Sequence, residues 1–388
     1  MTFSPLDGIR VVEMSHMIMG PSCGLFLGAL GAEVIKIEPP AGDKTRALTG
    51  MGRAFHPTFN RGKKSVTLDL ARPEGRDALD ALLAGADVFV ENFRDASLAP
   101  MGLEAQALRA RFPRLIVASC KGFLHGPYQD RTAMDEVVQM MTGMAYMTGP
   151  TGRPLRIGSS ANDIMAGLFA AYGVLGALLE RKETGAGRAV RAGLFENCLM
   201  LVAQHMVQFD LEGVEPPPMP EREFSWPVYD IFETSGGPQI FVGAVTEGHW
   251  TALCALLDLP DLLADPSLSG TMARVAARAR TVPIVAAAIA ARSYPALAAG
   301  FEAAGLPFAP IARPAQMYDD PHVLRDGGLY ASALPGGGGF RAPPIPIAVD
   351  GAAVIPDARD VAGAGADTDA VLGALGLSAA AIAAARGA

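Results

Sequence analysis

Short apolar runs alternate with longer mixed stretches through the first half of the chain. The runs are rich in β-branched residues and predict strands at residues 8–14, 32–38, 65–70, 87–91 and 115–119. The stretches between them predict helices at 21–30 and 76–84. This alternation is typical of an α/β fold with an open, mainly parallel, Rossmann-like sheet covered by helices.

The most apolar stretch, 164–179, predicts a helix that ends near Gly185. Its 16 residues are fewer than the ~20 needed to span a bilayer, so we expect a buried core helix and no membrane association. A strand at 189–194 and a helix at 199–211 follow.

The pattern changes at the proline-rich segment 216–220, which predicts a linker. Beyond it, 228–232 and 239–243 predict a β-hairpin, and 249–257 and 273–291 predict helices. These elements predict a second, smaller α+β domain at 215–325. A final alanine-rich helix is expected at 372–385.

Composition disfavours several classes of function and of site. The 388 residues carry a net charge of −8 with a pI near 5.3, which disfavours nucleic acid as a partner. Four cysteines stand far apart, and no histidine has metal-ligand spacing, so neither a disulfide framework nor a metal site is predicted. The first residues lack signal-peptide features, and we expect a cytoplasmic protein.

Familiar cofactor and nucleophile motifs are missing from the expected places. The first strand–turn–helix unit lacks G-x-G-x-x-G and carries Pro21 in its turn, which disfavours a nicotinamide or flavin cofactor. No G-x-S-x-G elbow occurs, which disfavours a serine hydrolase. His16 ends the first strand, at the edge where open sheets bind ligands, although a structural role fits a lone histidine equally well.

Basic residues gather in the loops of the first hundred positions. They are compatible with a solvated surface and also with a site for a nucleotide diphosphate. These residues are Arg46, Arg61, Lys63, Lys64 and Arg94.

Asp163 stands just ahead of the apolar helix. A carboxylate at a helix start serves as a cap, and the free N–H groups and helix dipole are expected to keep it ionised. An ionised, positioned carboxylate is also a competent nucleophile. Local sequence leaves both interpretations open.

Several segments, taken in order and spacing, resemble the class III CoA-transferases, which include formyl-CoA transferase and the carnitine and bile-acid CoA-transferases. The matching segments lie at 6–13, 20–21, 30–43, 60–65, 90–94, 158–163 with Gly167, and 181–187.

The resemblance implies a chemistry for Asp163. In that family, the aspartate ahead of the long helix attacks an acyl-CoA thioester, and CoA passes to a free carboxylic acid through anhydride and aspartyl-CoA thioester intermediates. Acyl-CoA is then a substrate and not a tightly bound cofactor, and neither ATP nor metal is required. The implied CoA contacts are His16, Asn92, Phe93, Arg94 and Met101. Arg46 and Lys64 join them on chemical grounds alone.

The chain departs from the family pattern at three places. Pro100 replaces an arginine, Met134 replaces a tyrosine before Asp135, and no glycine loop is found between Gln208 and Trp226. The α-methylacyl-CoA racemases share the fold and are the alternative, but they use a histidine where this chain has Met134. Methionine cannot transfer a proton, which favours the transferase over a racemase or epimerase.

The family fold is an interlaced homodimer. It implies a large CoA-binding domain formed by 1–214 and a return segment at 326–388, with 215–325 as an excursion. The expected partners are acyl-CoA and small carboxylic acids, and the basic residues favour a dicarboxylate such as succinate or a C5 relative. A non-catalytic CoA-binding protein is the third hypothesis.

Overall fold

The computed structural model describes residues 3–222 and 224–387. The chain divides into two compact units. One contains the residues up to Pro220 together with those from Leu324 onward, and the other is Glu221–Val323.

The larger unit is built on six parallel strands, which confirms the predicted α/β class and sheet type. They are β1 (Arg10–Met14), β2 (Glu33–Glu38), β3 (Lys64–Thr67), β4 (Val88–Glu91), β5 (Ile116–Lys121) and β6 (Ala189–Gly193), in the order β3-β2-β1-β4-β5-β6. Strand order reverses between β1 and β4, so ligands are expected at the carboxyl ends of these two strands.

Helices cover both faces of this sheet. The early ones are α1 (Met19–Ala29), α2 (Phe55–Asn60), α3 (Pro73–Ala84), α4 (Asp95–Leu98), α5 (Ala105–Arg111), α6 (Asp135–Met141) and α7 (Met144–Thr148). The long α8 (Ala161–Thr184) and α9 (Leu194–Glu212) follow, and the unit ends with α15 (Thr368–Ala374) and α16 (Ala379–Arg386). Short hairpins pair β10 (Tyr330–Ala333) with β11 (Gly339–Ala342), and β12 (Ala348–Val349) with β13 (Ala352–Ala353).

Strand alternation divides the core into two layers. Val11 packs into a cluster with α1, α8 and α9, whereas its neighbour Val12 packs into one with α3, α5, α15 and α16. The C-terminal helices therefore complete the second layer. A backbone bond from Asp69 N to Ala385 O (2.8 Å) and another from Ser65 N to the Asp367 carboxylate (2.8 Å) fix them to the sheet.

A buried ion cluster lies under α1. Glu13 of β1 is fully buried and contacts Lys36 of β2 (3.5 Å) and Lys63 (2.7 Å). Lys36 also pairs with Asp43 (3.1 Å). Gly24 of α1 passes directly over the glutamate, because a Cβ there would lie 1.8 Å from the Glu13 carboxylate. Desolvation lowers the pKa of Lys63 to about 8, against the opposing charge of Glu13.

Helix α8 has 24 residues and begins at Ala161, three residues before the apolar stretch 164–179 from which it was predicted. It is the one helix among the described residues that is long and apolar enough to cross a membrane, a test that core helices of soluble proteins also meet. One of its faces is buried against α1, β5 and β6. Gly185, at φ +69°, ends it as predicted.

The smaller unit has a three-stranded antiparallel sheet with helices packed against it. Its strands are β7 (Val228–Glu233), β8 (Gln239–Ala244) and β9 (Phe308–Pro310), and the predicted hairpin is β7–β8. The helices are α10 (Glu247–Leu257), α11 (Pro260–Ala264), α12 (Thr271–Ala276), α13 (Arg278–Ala290) and α14 (Tyr294–Ala303).

Two predicted helices are each divided in the structure. The helix expected at 273–291 is broken at Ala277, between α12 and α13. The helix expected at 372–385 is broken because Gly376 adopts φ +86° and Ser378 caps a new helix by accepting a bond from Ala381 N (3.2 Å). The strand expected at 65–70 ends at Thr67. Composition alone favours one long helix in alanine-rich segments, so these breaks were not predicted.

Candidate active site

Asp163 occupies the first turn of α8. The N-cap position is Ser160, three residues earlier. The Asp163 N–H donates to Oδ2 of Asp135, the first residue of α6, at 3.1 Å. The expectation that Asp163 caps this helix is therefore wrong, because it lies inside the helix and a carboxylate from another helix satisfies its N–H.

Asp135 is itself held by Gln139, one turn further along α6. The Gln139 side-chain amide donates to Oδ1 of Asp135, and its carbonyl oxygen accepts the Ile157 N–H at 2.9 Å. Both side chains are buried. The segment before α8 is thus tied to α6 at Ile157 and at Asp163.

A second contact fixes the residue before Asp163. Asn162 is fully buried, and its backbone oxygen and side-chain oxygen both accept from the side-chain amide of Asn197 on α9, at 3.1 and 2.5 Å. On the outer side, the Arg156 guanidinium donates to the Ser159 backbone oxygen (2.9 Å). The start of α8 is therefore held from both sides.

The electrostatic environment of Asp163 opposes ionisation. Burial raises its pKa to about 7, and the neighbouring Asp135 charge adds to the effect, while Arg156 opposes it. The sequence-based expectation of a carboxylate held charged by the helix start is wrong in direction. Desolvation and a like charge outweigh the helix dipole here.

A cavity of about 610 Å³ lies at the carboxyl ends of β1 and β4, beside the reversal of strand order. It brings together four of the predicted CoA contacts: His16, Asn92, Phe93 and Arg94. The Asn92 side chain bonds the backbone of His16 in both directions, at 3.0 and 2.7 Å. The His16 and Phe93 rings lie 5.1 Å apart between centroids.

The cavity carries further basic groups that sequence reasoning missed. Lys121, Arg131 and Arg191 line it together with Arg94, whose guanidinium donates to the Thr132 hydroxyl at 2.7 Å. Lys121 ends β5, the strand beside β4, and this position at a strand end was a signal that could have been used. Desolvation lowers the pKa of His16 in this wall.

Three of the residues predicted to contact CoA, namely Arg46, Lys64 and Met101, lie away from this cavity. Arg46 is bound by both carboxylate oxygens of Glu38 (2.7 and 2.6 Å). Lys64 begins β3 and pairs with Glu33 (2.5 Å), which begins β2, so it stands at the amino end of the sheet. Met101 packs against the apolar core beside α3 and α5.

Asp163 and the cavity share their supporting elements. Ala133 lines the cavity and stands two residues before Asp135. One turn after Asp163, a Cβ at Gly167 would lie 2.5 Å from the backbone oxygen of Met19, at the start of α1. The second turn of α8 therefore packs against the start of α1, the helix that follows the loop carrying His16.

The side chains near Asp163 limit the chemistry of this site with respect to proton transfer and metal binding. The Met134 side chain is 60% exposed and has no proton to give or take. Within residues 3–222 and 224–387, no cluster of three His, Cys, Asp or Glu side chains is placed to hold a metal ion. Carboxylates such as Asp163 can attack a carbonyl carbon.

Known proteins of similar sequence and structure span most of the chain. The sequence profile of CoA-transferase family III matches residues 6–368. A succinyl-CoA–D-citramalate CoA-transferase of Chloroflexus aurantiacus is 33% identical over 82% of this chain and 81% of the relative. A succinate–glutarate CoA-transferase of Agrobacterium fabrum is 30% identical over 83% and 84%. A solved CaiB/BaiF family protein from Brucella suis gives a TM-score of 0.86 at 31% identity, over 96% of this chain and 99% of the other.

The raised pKa of Asp163 makes its ionisation costly to the fold. An unfolded chain ionises this group near 3.8 and the folded chain near 7. The cost is therefore absent below about pH 4, grows up to pH 7 and is constant above it. We expect Asp163→Asn to stabilise the protein by about 1–2 kcal/mol at pH 8 and by less at pH 5. This is less than the full pKa shift implies, because solvent screens a partly exposed carboxylate.

Thermal unfolding at the two pH values measures this effect. Asp77→Asn, the same substitution on the exposed side of α3, is the matched control and should give equal shifts at both pH values. An Asp163→Asn shift that does not depend on pH would contradict the assignment.

Proposed function

Because the chain belongs to CoA-transferase family III, we propose that it moves CoA from an acyl-CoA thioester to a free carboxylic acid through covalent intermediates on Asp163. The observation that carries this proposal is the placement of Asp163. It is a desolvated carboxylate in the first turn of α8. Its N–H is bonded to Asp135 of α6, and its neighbour Asn162 is bonded to Asn197 of α9.

Desolvation suits the first step. A carboxylate with a pKa of about 7 is a stronger nucleophile than one in water, and about half of it is ionised at neutral pH. One Asp163 oxygen attacks the thioester carbon, the C–S bond breaks, and a mixed anhydride and CoA thiolate result. The anhydride is neutral, so the repulsion between Asp163 and Asp135 ends at this step.

The remaining steps exchange one acid for another. CoA thiolate attacks the aspartyl carbonyl of the anhydride, which frees the donor acid and leaves an aspartyl-CoA thioester. The acceptor carboxylate attacks this thioester, giving a second anhydride and thiolate again. The thiolate then attacks the acceptor carbonyl, so that the new acyl-CoA forms and Asp163 is regenerated. Each bond broken is replaced by one formed, and no external energy source is consumed.

The cavity beside β1 and β4 is the proposed CoA site. Its cations, Arg94 and Arg131, suit the phosphates of CoA, and the paired rings of His16 and Phe93 offer an apolar surface. The site stands at the strand-order reversal, where open sheets commonly bind nucleotides. Arg46, Lys64 and Met101 are left out of it.

Dicarboxylic acids and their CoA thioesters are the proposed substrate class. Both curated relatives described above are named for succinyl-CoA or succinate. Their second acids, citramalate and glutarate, are C5 dicarboxylates. The four buried free cysteines agree with a reduced, cytoplasmic enzyme.

A second copy of the chain is the proposed partner of the outer faces of α8 and α9. On α8 the large apolar residues Leu168, Tyr172 and Leu179 are 49%, 72% and 65% exposed. On α9, Met200, Val207 and Leu211 form a similar stripe, and Leu211 is 81% exposed. Exposed stripes of this length mark interaction surfaces. An interlaced homodimer, as in the family fold, would cover them.

Trapping the intermediate tests the nucleophile. We expect wild-type protein mixed with succinyl-CoA to give a hydroxamate on Asp163 after hydroxylamine treatment, identified by peptide mass. Asp163→Asn and Asp163→Ala should yield no adduct and lose at least about 10³-fold in transfer rate. Full transfer by Asp163→Ala, with no adduct on the wild type, would remove this mechanism.

Removal of one cation tests the CoA site. Arg94→Ala should raise KM for acyl-CoA about tenfold, because a charge-assisted contact is worth 1.5–3 kcal/mol or so, and should change kcat little. Lys64→Ala removes a cation from the opposite edge of the sheet and should leave KM unchanged. An increase in KM with Lys64→Ala alone would refute this placement.

Charge placed on the apolar stripes tests the dimer. We expect the wild type to sediment as a dimer and the double variant Tyr172→Glu, Leu211→Glu to dissociate at micromolar concentration, since buried unpaired charges are costly. Met272→Glu, on an exposed methionine of α12 (75%), is the matched control. A wild-type monomer at all concentrations would contradict the proposal.

A further inference from the structure

Gln139 has no part in the chemistry described so far, yet its side chain is fully buried and both ends of its amide are used. The nitrogen donates to Asp135 and the oxygen accepts the Ile157 N–H (2.9 Å). Both bonds lead to the segment that carries Asp163. Buried amides with both ends satisfied commonly fix one local arrangement.

Both oxygens of the Asp135 carboxylate accept a hydrogen bond. Gln139 holds Oδ1, and the Asp163 N–H holds Oδ2 at 3.1 Å. With two donors on opposite oxygens, the carboxylate cannot rotate without losing a bond. Its negative charge is therefore fixed beside Asp163, and the first turn of α8 is fixed relative to α6.

We propose that Gln139 is a positioning residue for the reaction of Asp163: it orients Asp135 so that this carboxylate both holds the start of α8 and keeps a fixed negative charge beside the nucleophile. The proposal rests on the proposed function of Asp163. The fixed negative charge of Asp135 repels the ionised Asp163 carboxylate, but it does not repel the uncharged anhydride or thioester formed on Asp163. It therefore favours these acylated states over the free carboxylate.

An isosteric substitution separates this role from simple support of the fold. In Gln139→Glu, one oxygen still accepts the Ile157 N–H, while the other faces Oδ1 of Asp135. Two facing carboxylates need a shared proton, so the bridge forms at low pH and is repelled at high pH. A residue that only supported the fold would change the melting temperature without changing the shape of the pH profile.

The experiment measures kcat and KM for succinyl-CoA from pH 5.5 to 8.5. The wild-type rate should rise as Asp163 ionises near pH 7. Gln139→Glu should lose at least about tenfold in kcat at pH 8 and approach the wild type near pH 5.5, with KM within about twofold. Parallel pH profiles with kcat within twofold at pH 8 would overturn the proposal.

Thr368→Val is the control for loss of a buried polar contact. Its hydroxyl is fully buried and bonds Thr67 N (3.0 Å) and Gly365 O (2.9 Å), beside β3 at the far edge of the sheet from β6. It should lower the melting temperature and leave the pH profile parallel to that of the wild type. A profile changed in the same way as that of Gln139→Glu would overturn the proposal.

Amide hydrogen exchange tests the positioning role of Gln139 without relying on CoA-transferase activity. In Gln139→Leu, the amides of 157–163 should exchange at least about tenfold faster than in the wild type and in Thr368→Val. If the wild type transfers no CoA, the proposed function fails, while this exchange result still reports on positioning. Unchanged exchange in this segment would overturn the positioning role whatever the activity.

Discussion

The common direction of the six strands is the constraint on which the rest of the larger unit depends. Parallel strands bring all their carboxyl ends to one edge, and the reversal between β1 and β4 opens a crevice there. The loops after these strands carry His16 and Asn92, which bond one another across the crevice. A cation at the other edge, such as Lys64, is excluded from the same site by strand direction alone.

The start of α8 shows how packing can reverse the charge preference of an aspartate. An aspartate in the first turn of an exposed helix is stabilised in its charged form. Here α6 supplies a second carboxylate and α9 supplies Asn197, and the resulting burial reverses the preference. The larger unit thus stores a modest amount of unfavourable electrostatic energy at the point where a covalent bond would release it.

The sequence predicted the parts of the fold that depend on local pattern. Strand positions in the first half, the sheet type and the presence of the long helix follow from alternation and β-branched content. The direction of the Asp163 pKa did not follow, because Asp135 lies 28 residues earlier in the chain and meets it only after folding. The ion pairs of Arg46 with Glu38 and of Lys64 with Glu33 were not predicted either, because they depend on where the side chains meet in the folded chain. Gln139 was detectable in principle, because it stands four residues after Asp135 on one helix face.

The contact between Gly24 and Glu13 has a consequence for how such a sequence can change. Any side chain at position 24 meets the Glu13 carboxylate, so glycine can be replaced only after the glutamate is gone. Removing Glu13 first leaves Lys36 and Lys63 as buried, under-compensated cations, which is costly until they are replaced as well. Gly24, Glu13, Lys36 and Lys63 are therefore coupled positions. A single substitution at any one of them destabilises the fold unless the others have changed in the right order.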